Sequence, residues 1–286
     1  MHVTEPVMKQ WQLAHGRQLE LGAKARLMGI LNVTPDSFSD GGEFSAPDQA
    51  VAHARMMAAE GADIIDVGGE STRPGATPVS ARDEQARILP VIEALAANGE
   101  FLISVDTYRA ETARLAVAAG AHIVNDVHGL QREPDIAELA AATGAGLVVM
   151  HTGRDRERLP DVIADEFLFL GRSLEIARQA GVTDAQIVLD PGFGFAKRSE
   201  ENLQLMARFG ELQALGFPLL VGTSRKRLLT DVPGGDKKAR DAGTAATSVI
   251  LRLKGANIFR VHNIAANKDA LAFADAMLER EKMSDG

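Results

Sequence analysis

Residues 103–126 hold one complete structural repeat: the apolar run Ile103-Ser104-Val105-Asp106, an Ala-rich stretch over Arg109–Gly120, and a second apolar run Ile123-Val124-Asn125-Asp126. Each run ends on polar side chains. Working outward, the same ending recurs at Ile30-Leu31-Asn32, Ile64-Ile65-Asp66, Val148-Val149-Met150-His151, Val188-Leu189-Asp190, Leu220-Val221-Gly222-Thr223-Ser224 and Phe259-Arg260-Val261-His262, eight runs in all. The runs are apolar on both faces, as buried parallel strands are. Helical segments separate them, near Pro47–Gly61, Ser80–Gly99, Arg109–Gly120, Pro134–Gly144, Asp165–Gly181, Ser199–Gly216, Ala239–Gly255 and Ala265–Arg280, and nearly all finish on Gly, which suits the left-handed residue after a helix. Alternation of this kind predicts an α/β fold with right-handed crossovers. We read it as a (β/α)8 TIM barrel whose active site rings the carboxyl ends of the strands. An open doubly wound sheet is the competing architecture, because periodicity does not distinguish closure.

The composition suits one domain of that kind. The chain has 286 residues, 45% of them hydrophobic, and single (β/α) barrels run to roughly 250 residues. We expect residues 27–280 to form the barrel, residues 1–26 an N-terminal β-hairpin extension, turning at His15-Gly16-Arg17 and closing the barrel floor, and 281–286 a tail. No apolar run approaches the roughly 18 residues of a membrane span, and Met1–Gln12 lacks the basic start and apolar core of a signal peptide, so the expected location is cytoplasmic, with no membrane partner. With no Cys, disulfides, thiolate nucleophiles and Cys-based metal sites are excluded. The formal charge of −8, with no basic stripe, argues against nucleic acid as a partner. An anionic ligand must then be met by local charge.

Two loops depart from the regular background: Asn32-Val33-Thr34-Pro35-Asp36-Ser37-Phe38-Ser39-Asp40-Gly41-Gly42 after the first strand and Gly68-Gly69-Glu70-Ser71-Thr72-Arg73-Pro74-Gly75-Ala76 after the second. Their turn formers and hydroxyls would suit plain solvated connections. They are longer than the usual βα link of about 2 to 6 residues, however, and long loops on the catalytic face tend to be lids or binding loops. Phe38 is placed to close over a flat substrate, and Thr72 and Arg73 to meet an anion.

These loops, together with Met28-Gly29-Ile30-Leu31-Asn32, Asp190-Pro191-Gly192-Phe193-Gly194-Phe195, Ser224-Arg225-Lys226 and Arg260-Val261-His262, resemble the dihydropteroate synthase family of folate biosynthesis, in order, from about residue 27 to 280. The resemblance implies a (β/α) barrel, usually a homodimer, that joins p-aminobenzoate to 6-hydroxymethyl-7,8-dihydropterin diphosphate and releases diphosphate with help from Mg²⁺. It also implies roles for matching residues. Asp106, Asn125, Asp190 and Lys226 bind the pterin edge, with Met150 and Phe195 beside it. Asn32, Thr72, Arg260 and His262 take the diphosphate, Asn32 also the metal. Phe38, Thr72, Arg73, Pro74, Phe193 and Lys226 form the p-aminobenzoate slot. Asn32, Asp106, Asp190, Lys226 and Arg260 are the catalytic set.

The residue chemistry agrees with such roles. A reduced pterin offers ring nitrogens, an amino group and a carbonyl in one plane, so a pocket for it needs converging donors and acceptors. Isolated buried carboxylates are costly, which implies partners or a ligand for those at the strand ends. Asp126 is a weaker candidate than Asn125, since alternation turns it to the other face. A departing diphosphate needs cationic donors or a metal, and Arg260 and His262, two apart on a strand, share a face. None of the seven His makes a HExxH-type cluster, so magnesium carried on substrate phosphates fits better than a caged zinc. The p-aminobenzoate carboxylate is expected near the amino end of a helix following Ser224-Arg225-Lys226.

Departures from the family's commonest pattern are Phe193 for Ile, Ala196 for Gly, Arg227 for Ser and Asn263 for Asp. Of these, Phe193 adds bulk near the proposed slot. Three other classes are weighed: a corrinoid-type pterin methyltransferase, which would share the pocket without needing both loops and the anion site; a nicotinamide oxidoreductase, disfavoured because Lys197 stands where the dinucleotide fingerprint has its third glycine; and a non-catalytic pterin-binding paralogue. The late helices Ala239–Gly255 and Ala265–Arg280 are the expected dimer face.

Overall fold

The computed structural model describes residues 9–34, 46–71, 77–97, 99, 101–229 and 240–284. Eight parallel strands follow the hairpin: β3 (Arg26–Asn32), β4 (Ile64–Gly68), β5 (Leu102–Asp106), β6 (Ile123–Asp126), β7 (Gly146–Met150), β8 (Ile187–Asp190), β9 (Leu220–Val221) and β10 (Ile258–Val261). Their spatial order is β8-β7-β6-β5-β4-β3-β10-β9. A single bridge, Leu189 to Leu219, brings the two ends of that sheet together. The result is a nearly closed barrel, as the strand repeat predicts.

The hairpin β1 (Lys9–Gln12) and β2 (Gln18–Leu21) is antiparallel and turns through Ala14–Gly16. It covers the amino-terminal end of the barrel. Trp11, Leu13 and Leu21 pack in one apolar cluster with Met28, Ile64, Leu102, Ile123, Val148, Val188, Leu220 and Ile258, one residue from each barrel strand. The Trp11 indole also donates to the Gln186 carbonyl at 2.8 Å, which satisfies the one polar atom that this floor would otherwise bury unpaired.

That inward layer fixes everything above it. Strand side chains alternate faces, so the next residues on the inner face are Ile30 and Asn32, Asp66 and Gly68, Ser104 and Asp106, Asn125, Met150, Asp190, Gly222 and Arg260. The residues between them, among them Ile65, Val67, Ile103, Val105, Val124, Leu147, Val149, Leu189, Val221 and Phe259, face out and form the large cluster beneath the helices. The barrel therefore has an apolar floor and a polar upper layer, both set by one register.

The helices are α1 (Ala46–Glu60), α2 (Ala81–Ala96), α3 (Ala110–Ala118), α4 (Asp135–Thr143), α5 (Val162–Gln179), α6 (Ser199–Ala207), α7 (Arg240–Arg252) and α8 (Ile264–Ser284). α5 begins three residues earlier than the sequence suggests, because Asp161 caps it by accepting from the Ala164 amide at 2.8 Å. The expected helix Ser199–Gly216 is instead α6 followed by a 3₁₀ segment, Phe209–Leu215; Gly210 in that stretch costs about 1 kcal/mol in an α-helix. Directly after Ser224-Arg225-Lys226 comes a one-turn 3₁₀ piece, Arg227–Leu229. The next helix among the described residues is α7, which opens at Arg240. Among the described residues, no helix is long and apolar enough to cross a membrane.

Candidate active site

At the carboxyl ends of the strands lies a cleft lined by Asp106, Asn125, Val127, Met150, Asp190, Phe195, Gly222, Lys226 and Arg260. Five of these come straight from the inward register of β5, β6, β7, β8 and β10. Lys226 and Phe195 arrive from the loops after β9 and β8.

Arg260 organises one wall. Its Nε donates to Asp66 Oδ2 at 2.6 Å and its Nη2 to Asp106 Oδ2 at 2.7 Å. Asn125 Nδ2 donates to the same Asp66 oxygen at 3.2 Å. Asp66 is fully buried and was not assigned a role from the sequence; its strand-end position was the available signal, and the strand order, with only β3 between β4 and β10, brings it to Arg260. Burial pushes the Asp106 carboxyl up to about 7 against the pull of Arg260. The Arg260 guanidinium, although buried, is held above its ordinary value by the two carboxylates.

The opposite wall carries Asp190 and Lys226. Asp190 Oδ1 accepts from the Gly192 amide at 2.7 Å, and burial raises its carboxyl despite Lys226 nearby. Lys226 Nζ donates to the Phe193 carbonyl at 2.6 Å and lies 4.6 Å from the centre of the Phe195 ring. Desolvation brings its ammonium down to about 7, opposed by Asp190 and reinforced by Arg260. The cleft therefore offers acceptors, donors and a readily titrated cation within one enclosure.

Other expected residues lie elsewhere. Phe193 is fully buried and stacks on Phe209 at 6.4 Å between ring centres. Its bulk sits in the core, not on the cleft wall; only its carbonyl serves the site. His262 Nδ1 meets Ser224 Oγ at 2.9 Å, and the same hydroxyl accepts from the His262 amide at 3.1 Å, which fixes the ring with its Nε2 edge turned away from Ser224. Asp126 faces away, as alternation predicts, its carboxylate accepting from the His128 and Leu130 amides at 2.8 and 2.6 Å. Arg227 is exposed. Phe38, Thr72, Arg73 and Pro74 lie outside the described residues.

Asn32 closes β3 on the inner face. A Cβ on the adjacent Gly68 would come within 3.4 Å of Asp106 Cβ, 3.7 Å of Asp106 Oδ2 and 3.9 Å of Asn32 Oδ1. Gly68 thus lies between an amide oxygen and a carboxylate oxygen, hard donors of the kind magnesium takes, of which Asp106 Oδ2 also accepts from Arg260. Among the described residues, no three His, Cys, Asp or Glu side chains are placed to hold a metal ion between them. An ion here would draw most of its ligands from substrate and water.

A family profile described as pterin binding enzyme matches residues 28–262. The chain is 47% identical over 256 residues to the dihydropteroate synthase of Streptococcus pyogenes serotype M3, an alignment that covers 89% of this chain and 96% of that one. The chain belongs to the dihydropteroate synthase family. The Bacillus subtilis dihydropteroate synthase is 42% identical over 289 residues, 99% of this chain and 100% of the relative. The solved Xanthomonas albilineans dihydropteroate synthase with 4-aminobenzoic acid superposes with a TM-score of 0.88 at 42% identity, covering 94% of this chain and 99% of that one. The same enzyme in complex with 7,8-dihydropteroate gives 0.84 at 40% identity, covering 93% and 98%.

As a dihydropteroate synthase family member, the chain holds a second polar cluster that sequence reading missed entirely. Beside Asp190, and buried behind it, lie His151, Asp165, Glu166 and Lys197. His151 Nε2 meets Asp165 Oδ2 at 2.9 Å, and His151 Nδ1 meets Lys197 Nζ at 2.7 Å. No periodicity joins residues from a strand end, a helix and a loop, so nothing in the sequence marks them as neighbours.

Proposed function

We propose that this protein condenses p-aminobenzoate with (7,8-dihydropterin-6-yl)methyl diphosphate, giving 7,8-dihydropteroate and diphosphate, as a transferase of folate biosynthesis. The observation that carries the reading is the convergence of Asp106, Asn125, Asp190, Lys226 and Arg260 on one cleft, in a chain with full-length relatives of that name. Three further assignments belong to the same proposal: a single domain over residues 1–286, a cytoplasmic site of action and a homodimer. Phe273, 81% exposed on α8, supports the dimer face expected there.

In this mechanism the pterin edge lies against Asp190, Asn125 and Asp106, its amino and ring N–H groups donating to the carboxylates and Lys226 donating to its acceptors. Met150 and Phe195 flank the ring. Arg260 is bound to carboxylates through Nε and Nη2, which leaves Nη1 to donate to the diphosphate, with His262 and Thr72 as further donors. The carbon–oxygen bond breaks first, and its electron pair leaves with diphosphate. The resulting pterin cation is stabilised by its own electron-rich ring in an enclosure lined with carboxylates. The neutral aryl amine, held in a slot formed by Phe38, Thr72, Arg73, Pro74, the Phe193 segment and Lys226, then supplies its lone pair to the carbon and loses a proton. No side-chain nucleophile is needed. Mg²⁺, held at Asn32 beside Gly68, would supply charge neutralisation of the leaving diphosphate.

The test is incorporation of p-aminobenzoate into dihydropteroate by purified protein with dihydropterin diphosphate and Mg²⁺. Turnover is expected, and Asp190→Asn is expected to lower kcat/KM by roughly ten- to a hundred-fold, the worth of one charged hydrogen bond. No product from the wild-type protein overturns the reading.

A further inference from the structure

The turn after β8 is held by bonds within it and by one buried side chain beside it. Gly192 has φ +62, and a Cβ there would lie 2.0 Å from the His151 carbonyl oxygen. The turn is thus pressed onto the end of β7, and its Gly192 amide holds Asp190 Oδ1. Two carbonyls of this turn, Pro191 and Gly192, point into the interior of the protein, where an unpaired acceptor is expensive; that of Gly192 already accepts from the Phe195 amide at 3.1 Å.

Lys197 meets both. Its Nζ is 2.7 Å from the Pro191 carbonyl and 3.2 Å from that of Gly192, with His151 Nδ1 at 2.7 Å. An ammonium has three hydrogens and no acceptor, so the two carbonyls and the imidazole are matched to its donors, while His151 Nε2 faces Asp165 Oδ2 at 2.9 Å and Arg156 Nη2 at 2.8 Å. Glu166 Oε1 stands 3.1 Å from Nζ, yet neither Glu166 oxygen, fully buried, has a hydrogen-bond partner. Glu166 supplies countercharge without touching the turn. Burial pushes its carboxyl up to about 8 and the Lys197 ammonium down, each opposed by the other.

We propose that Lys197 is a positioning residue for the reaction: by donating to the Pro191 and Gly192 carbonyls it fixes the turn whose amide aims the Asp190 carboxylate at the pterin edge. Lys197 itself lines no part of the cleft. The inference rests on the pterin-transfer reading above, and it divides the machinery by substrate. Loss of Lys197 loosens Asp190, hence the pterin, more than the p-aminobenzoate side, which meets this turn only through the Phe193 segment and Lys226.

The experiment compares Lys197→Met, Lys197→Met/Glu166→Gln and Glu166→Gln in the full-length protein by steady-state kinetics for each substrate, with thermal melting alongside. The double variant removes both buried charges together and so keeps a foldable core where the single change strands Glu166. The expected result is a rise of about tenfold or more in KM for dihydropterin diphosphate in both Lys197 variants, with KM for p-aminobenzoate within about threefold of wild type and a smaller pterin effect in Glu166→Gln. An unchanged pterin KM in the double variant overturns the proposal. So does an equal rise in both substrates' KM, or an effect of Glu166→Gln as large as that of the Lys197 changes, since either means general loosening of the core. An inactive wild type would instead count against the parent reading.

Discussion

Lys226 gives the cleft its pH signature. Its ammonium is brought down to about 7 chiefly by burial, so across neutrality the free site passes from charged to neutral as pH rises. A ligand that accepts from the charged form binds best below that value and loses up to about tenfold per pH unit above it. We therefore expect the dissociation constant for dihydropterin diphosphate to climb between pH 7 and 9, and Lys226→Met to weaken binding and flatten that climb; titration calorimetry across the range measures both. An identical slope in the variant would show that Lys226 does not donate. At this scale the sequence was most legible where strand alternation governs. Asp106, Asn125, Asp190 and Arg260 all sit at even spacing from the floor residues of their strands. It failed where a turn breaks the alternation: Phe193, three residues past Asp190, sends its ring to the core and its carbonyl to the site. It failed also at His151, Glu166 and Lys197, whose contact depends on packing between elements far apart in the chain.

Among the elements, α7 and α8 are joined by Asn263, one of the departures from the family's commonest pattern. Its Oδ1 caps α8 by accepting from the Ala266 amide at 3.0 Å, and its Nδ2 donates to Asp241 Oδ2 at 3.1 Å. An aspartate would keep the cap but bring two carboxylates together; the amide serves both ends. Asn263→Ala is expected to cost about 1 kcal/mol, a normal cap loss, read as a lower urea midpoint at constant m-value. Helix positions were broadly legible because Gly marks their ends, as at Gly144 and Gly216, both left-handed in the structure. The misread boundaries have opposite causes: the Asp161 cap, which starts α5 early, and the tight 3₁₀ turns after Ala207, which end α6 early.

At the level of the whole molecule, the repeat of eight strand ends was enough to imply a barrel, and closure was what it left open. Closure depends on which outer strands meet, and β9, two residues long, contributes almost no pattern of its own. The structure resolves the choice through Leu189 and Leu219, and through the hairpin, whose Trp11 reaches Gln186 at the head of β8.

That single bridge makes the barrel a hoop with one weak stave. Seven strand pairs are laced by ladders, while the gap between β8 and β9 is the cheapest place for the ring to breathe, and the two sides of that gap lead directly to Asp190 and Lys226. A substrate gripped by both residues acts as a buckle across the hoop, so occupancy and elasticity become one property. Hydrogen exchange should show it: dihydropterin diphosphate is expected to slow exchange across residues 187–190 and 219–221 more than in β4 or β5, whose ladders on both sides already hold them shut.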